Sequence, residues 1–165
     1  MDKDTIGIVG TLVGVIIGGV MTLLATYLQL RNQEKQRRKE RKAKAYEEIH
    51  RYLSVLGHEA GYTFIQIIDK VKSNSLIDDK NREKLPWQEL EMGIDFYTPE
   101  LKEDLRIIKK EWAKLGRAFG LIIVEKYTRQ EGPSELLTQS KQSSDKIEEQ
   151  VNMAKNKLAD LINKI

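Results

Sequence analysis

The sequence predicts an all-α protein: a single N-terminal transmembrane helix, a basic helical stalk and an antiparallel three-helix cytoplasmic bundle. Three observations predict it. Residues Ile6 to Leu30 carry no charged side chain, and Arg31 to Lys44 are crowded with lysine and arginine. From Tyr46 onward, apolar residues recur three and four apart in three long stretches, the spacing that gathers them on one helix face.

The 25 uncharged residues of 6–30 would form a helix about 37 Å long, against a hydrocarbon core about 30 Å thick. A bilayer span with some length left for tilt is expected, behind a short tail of residues 1–5. A cleaved secretory signal would need a basic start, a shorter apolar core and a small-x-small cleavage site. Here the start is Met-Asp-Lys-Asp, and Ala25-Thr26-Tyr27-Leu28 makes a poor site. Within the span, Gly10, Gly14, Gly18, Thr22 and Thr26 recur every four residues and share one ribbon of the helix. Small residues at that spacing let a second backbone approach closely, so these five are expected to form a helix-association face and the chain a homo-oligomer.

Residues 31–45 hold eight basic and two acidic side chains, a net of +6, while residues 1–30 carry −1 and residues 46–165 carry −2. Basic residues beside a span are retained on the cytoplasmic side. The N-terminus is therefore expected outside and the C-terminal domain in the cytoplasm, as at a bacterial or phage inner membrane. Attraction to an anionic leaflet fades within a Debye length, about 8 Å. Arg31 and Lys35 then contribute most if the stalk leaves upright, and Arg37, Arg38 and Lys39 join them if it lies along the surface. Nucleic acid is a disfavoured partner, because only Tyr46 is aromatic nearby and no nucleic-acid-binding motif accompanies the run.

The first bundle helix, about 46–72, has its seam at Tyr46, Ile49, Leu53, Leu56, Ala60, Phe64, Ile67 and Val71. Gly57 and Gly61 are the expected points of a bend or a close helix contact. Residues 73–98 are too long for a plain connection. In them Pro86 to Gly93 reads as a short helix, opened by proline and closed by glycine. Trp87, Leu90, Phe96 and Tyr97 either cap the bundle or form a patch for a protein partner. Thr98-Pro99-Glu100 reads as a capped start for a helix of about 99–129, with its seam at Leu101, Leu105, Ile108, Trp112, Leu115, Phe119 and Ile122. Leu121 to Val124 is apolar on more than one helix face, and a short strand there is the rival reading. After Gly132-Pro133, with Ser134 as the expected cap, a helix of about 135–165 runs through Leu137, Ser140, Ser144, Ile147, Val151, Ala154, Leu158, Leu161 and Ile165. In this arrangement the second long helix returns towards the stalk and the turn Tyr127 to Ser134 lies beside it.

The sequence carries no motif for catalysis or metal binding. There is no cysteine, which removes disulfides, thiol catalysis and Cys-based metal sites. His50 follows Glu47 by three residues, as in half of a di-iron motif, but no other histidine has a carboxylate three before it. His58-Glu59 lacks the second histidine of a metalloprotease helix. No catalytic, cofactor-binding or metal-binding residue is expected, and the chain does not read as an enzyme. The layout looks like that of many small bacterial and phage membrane proteins, a likeness of architecture that carries no function across. The expected role is a non-catalytic membrane-anchored interaction or scaffold module with the lipid bilayer and an unidentified protein as partners. The alternative is a membrane-active effector that oligomerises through its glycine-rich span into a leak or pore. That alternative ranks second because no charged residue of the span could line a water-filled path.

Overall fold

The computed structural model describes residues 3–73, 84–124 and 132–164, with the side chains of residues 3–13 and of Ile16 outside the described set. Every element among the described residues is helical: α1 Lys3–Ser73, α2 Trp87–Tyr97, a 3-10 turn Pro99–Leu101, α3 Lys102–Ile123 and α4 Pro133–Ile162. The chain divides into two compact units, Met1–Lys42 and Ala43–Ile165.

The first unit is helical and without a core of its own among the described residues. Its described large apolar side chains from Val15 to Leu30 stand exposed, and so does every residue from Arg31 to Lys42. Among the described residues no helix is long and apolar enough to cross a membrane. The expected span begins at Ile6, so its first eight side chains and that of Ile16 lie outside the described set.

The second unit is built on one apolar core. Tyr46, Ile49, Leu53, Leu56, Ala60 and Ile67 of α1 join Leu90 and Ile94 of α2, Leu105, Ile108, Trp112 and Leu115 of α3, and Leu136, Ile147, Val151 and Leu158 of α4. Each helix contributes residues three and four apart, so each buries one stripe and leaves its charged face in water. Along α1 the stripe turns polar after Ala60: Thr63 and Gln66 are buried, whereas Phe64 is half-buried and Val71 exposed.

Specific contacts fix the directions. Tyr46 Oη donates to Tyr97 O at 3.5 Å, and Gly93 lies against Ile49. As residue numbers rise along α2 they fall along α1, so the two are antiparallel. Trp87 meets Trp112 edge-on with ring centroids 6.2 Å apart, Glu91 pairs with Lys109, and Asp95 pairs with Lys102 at 2.8 Å, so α2 and α3 are antiparallel too. Ser143 bonds Glu111 while Gln150 bonds Asp104, which makes α4 antiparallel to α3. The order is therefore up, down, up, down, with α1 parallel to α3.

This corrects the expected antiparallel three-helix bundle. The return that was expected of the second long helix is made by α2, whose Leu90 and Ile94 are pressed into the core. As a result α3 starts, rather than ends, beside Tyr46, and its C-terminal end points away from that pole. Tyr127 and its neighbours lie outside the described residues.

Three local expectations are corrected as well. Gly93 does not close a helix: α2 runs on to Tyr97, and Gly93 sits mid-helix where a Cβ would come 3.0 Å from Ile49 Cγ1. The Thr98 hydroxyl caps nothing and is a buried oxygen without a hydrogen-bond partner, while its carbonyl accepts from Leu101 N at 2.9 Å. Ser134 lies inside α4, which starts with Pro133 in the first turn after Gly132. At the end of α3 the run Leu121 to Ile123 is helix and not strand, with Ile122 buried and Val124 exposed. Gly57 makes a close helix contact, 3.5 Å from a built Cβ to Val151 Cγ1, in an unbroken α1.

Candidate interaction surface

The first two turns of α1 inside the second unit and the whole of α2 lie side by side and leave a groove of about 360 Å³ between them. Ala45, Glu48, Ile49 and Tyr52 line it from α1; Glu89, Met92, Gly93, Phe96 and Tyr97 line it from α2. The helices approach closely at its centre because Gly93 has no side chain to hold Ile49 off. Phe96 is 76% exposed and Met92 60% exposed. An exposed aromatic thus stands beside an exposed methionine over the apolar floor of Ala45 and Ile49.

The four residues of the expected partner patch divide. Phe96 and Tyr97 stand on the surface of the groove. Leu90 is fully buried and so presents nothing to a partner, while Trp87 packs on the core against Trp112, with Lys109 Nζ 5.7 Å from its ring centroid. What the sequence reading lacked was the α1 wall. Only the folded return of α2 brings Ala45, Glu48 and Tyr52 opposite Met92 and Phe96. Tyr46, behind the groove, has its phenol pushed above the ordinary range by burial and then by the nearby Glu100 charge.

The residues expected to form a helix-association face lie along α1. Gly10 falls outside the described side chains. Gly14 and Gly18 have open space where a Cβ would stand. Thr22 Oγ1 donates to Gly18 O and Thr26 Oγ1 to Thr22 O, both at 2.8 Å, so the hydroxyl protons are used within the helix. Arg31, Lys35, Arg37, Arg38 and Lys39 are all exposed.

A second polar feature lies between α3 and α4 and is structural in character. Asp104, 2% exposed, accepts from Gln150 Nε2 at 2.6 Å and from Lys157 Nζ at 2.8 Å through each of its oxygens. Glu111, 6% exposed, accepts from Lys114 Nζ at 2.8 Å and from Ser143 Oγ at 3.2 Å. Burial pushes the Glu111 carboxyl up, but the bond and charge of Lys114, the Ser143 hydroxyl and the Lys146 charge outweigh it and hold the group below the ordinary carboxylate value. Both sites satisfy a buried charge, as a folded interior requires. His50 is exposed, and the His58 ring, also exposed, lies 3.9 Å from the Glu59 carboxylate. Among the described residues no three His, Asp or Glu side chains gather as a metal site would need.

Comparison with known protein families, characterised proteins and solved structures finds no match to this chain.

Proposed function

We propose that the chain is a membrane-anchored, non-catalytic interaction module: a span at residues 6–30 holds a cytoplasmic helical domain, which recruits a protein partner. The observation that carries the anchoring is the exposure of Val15, Ile17, Val20, Met21, Leu23, Leu24, Tyr27, Leu28 and Leu30, each more than half open to solvent. At about 100° per residue these nine positions sweep roughly two thirds of the helix circumference. Gly14, Gly18, Thr22, Ala25 and Gln29 occupy the remaining third, with Thr26 at its border. A helix apolar on so many sides is stable only where something other than water surrounds it. The basic residues that follow favour a cytoplasmic exit.

Self-association through the small-residue third is part of this reading, driven by close backbone packing. The intrahelical bonds of Thr22 and Thr26 also favour it over the leak-forming alternative. With both hydroxyl protons held by backbone carbonyls, that ribbon offers a water column few donors.

Two fractionations test the anchor. The full-length chain should sediment with membranes, resist alkaline carbonate and dissolve in detergent. A tag placed after Ile165 should be shielded from protease in intact cells and digested once they are opened. A chain that stays in solution without detergent, or a tag cleaved in intact cells, would overturn the reading.

A further inference from the structure

We propose that the groove between α1 and α2 seats a helical segment of a partner protein whose apolar stripe is flanked by lysine and arginine. This rests on the reading of the chain as an interaction module and is independent of its anchoring. The two walls are matched. Ala45, Glu48, Ile49 and Tyr52 follow the i, i+3, i+4, i+7 pattern on α1, and Glu89, Met92, Gly93 and Phe96 follow the same pattern on α2. Two antiparallel rows thus bound one trough, about 10 Å long, which accepts about two turns of a guest helix. Laying an amphipathic helix into an apolar groove is a recurrent mode of peptide recognition.

The apolar part supplies anchoring. Ile49 and Gly93 form the floor, where the two helices close up because Gly93 has no side chain to hold Ile49 off. Phe96 and Met92 rise from one wall with most of their surface in water. Aromatic residues that become desolvated at a contact carry a large share of binding energy, and methionine adapts its shape to the guest.

Charge selects the class of guest. Both charged residues lining the groove are carboxylates, Glu48 on one wall and Glu89 on the other, and both are exposed. Arg51, next to the groove, is engaged with the Tyr52 ring, its guanidinium carbon 5.1 Å from the centroid. Two exposed carboxylates, one on each wall beside an apolar floor, attract ammonium and guanidinium groups. Groove-to-groove pairing of two copies would bring these carboxylates together, since a two-fold contact sets the same patch against itself.

The test is a titration of full-length protein in nanodiscs of zwitterionic lipid, followed by fluorescence anisotropy. The probe is a labelled helical peptide of about 14 residues, or four turns, with leucine on the i, i+3, i+4, i+7 stripe and lysine elsewhere. A counterpart carries glutamate in place of lysine, and empty discs correct for partition into lipid. The lysine peptide is expected to bind about tenfold more tightly than its counterpart. Phe96→Ser should weaken it about tenfold, and Glu48→Lys with Glu89→Lys should reverse the preference. These side chains are exposed, and unchanged far-ultraviolet circular dichroism would show the fold intact. Equal binding of the two peptides, or indifference to Phe96→Ser, would overturn the proposal. So would a concentration-dependent dimer that Phe96→Ser abolishes, because the occupant would then be a second copy. If the chain proves soluble without detergent, the same titration runs without discs, so failure of the anchor and failure of the groove are told apart.

Discussion

Gly93 and Ile49 set the spacing of α2 on α1: a Cβ at position 93 would stand 3.0 Å from Ile49 Cγ1 and 3.3 Å from its Cδ1. Ile49 is buried and has little room to yield. Gly93→Ala is therefore expected to destabilise by about 1 kcal/mol or more, despite the better helix propensity of alanine. Gly116→Ala, where nothing lies within 4 Å, should instead stabilise by about 0.5–1 kcal/mol. Thermal unfolding of both variants checks the contrast in sign.

The Asp104 carboxylate is buried between Gln150 and Lys157, whose own side chain is 48% exposed. Lys157→Met leaves the carboxylate with one donor and is expected to cost about 1–2 kcal/mol, the lower figure reflecting the water that reaches the pair. Asp104→Asn in the same background should recover part of that loss, because no buried charge then remains. A double-mutant cycle by urea denaturation reads the coupling.

Glu111 has its folded pKa held below the unfolded value near 4.5. A depressed acid stabilises the fold fully above the unfolded pKa, and that contribution is lost as pH falls through the folded value. Stability should thus decline below about pH 4.5, with a shallower slope in Glu111→Gln. Chemical denaturation between pH 3 and 6 on both proteins would reveal the difference, and parallel curves would contradict it.

Gly14 and Gly18 have open space around them. Gly14→Leu with Gly18→Leu should retain the chain in membranes and reduce its self-association several-fold, because leucine keeps backbones apart without lowering lipid affinity. Crosslinking in intact membranes reads the effect. Undiminished crosslinking would move the association face elsewhere.

The helices themselves were legible because their apolar spacing is regular: Ile49, Leu53 and Leu56, Leu105, Ile108 and Trp112, or Ile147, Val151 and Ala154 each mark a buried stripe that the structure also shows. The direction of travel was not legible. Residues 73–98 read as a structured connection, but nothing local says whether it merely turns the chain or carries it back along α1. That depends on Leu90 and Ile94 finding Ile49, a tertiary choice between contacts distant in sequence. Gly93 shows the same limit. A glycine near a helix end resembles a stop, and only the neighbouring Ile49 reveals that close packing required it.

The candidate surface was half legible. Phe96 and Tyr97 could be named from their aromatic character, whereas Glu48 and Tyr52 looked like ordinary positions of an amphipathic helix. The buried acids Asp104 and Glu111 were missed for a related reason. In the sequence they sit among many charged residues of α3, and although Lys114 of α3 pairs with Glu111, the other partners Gln150, Lys157 and Ser143 lie on another helix.

Because α1 and α4 run in opposite senses, the residues that begin the second unit and those that finish α4 emerge at the same pole. A pulling load applied between Ala45 and Ile162 would act across the helix axes and peel α1 from α4 contact by contact, like a zipper, instead of shearing the whole seam at once. Unfolding under tension should be gradual and require little force.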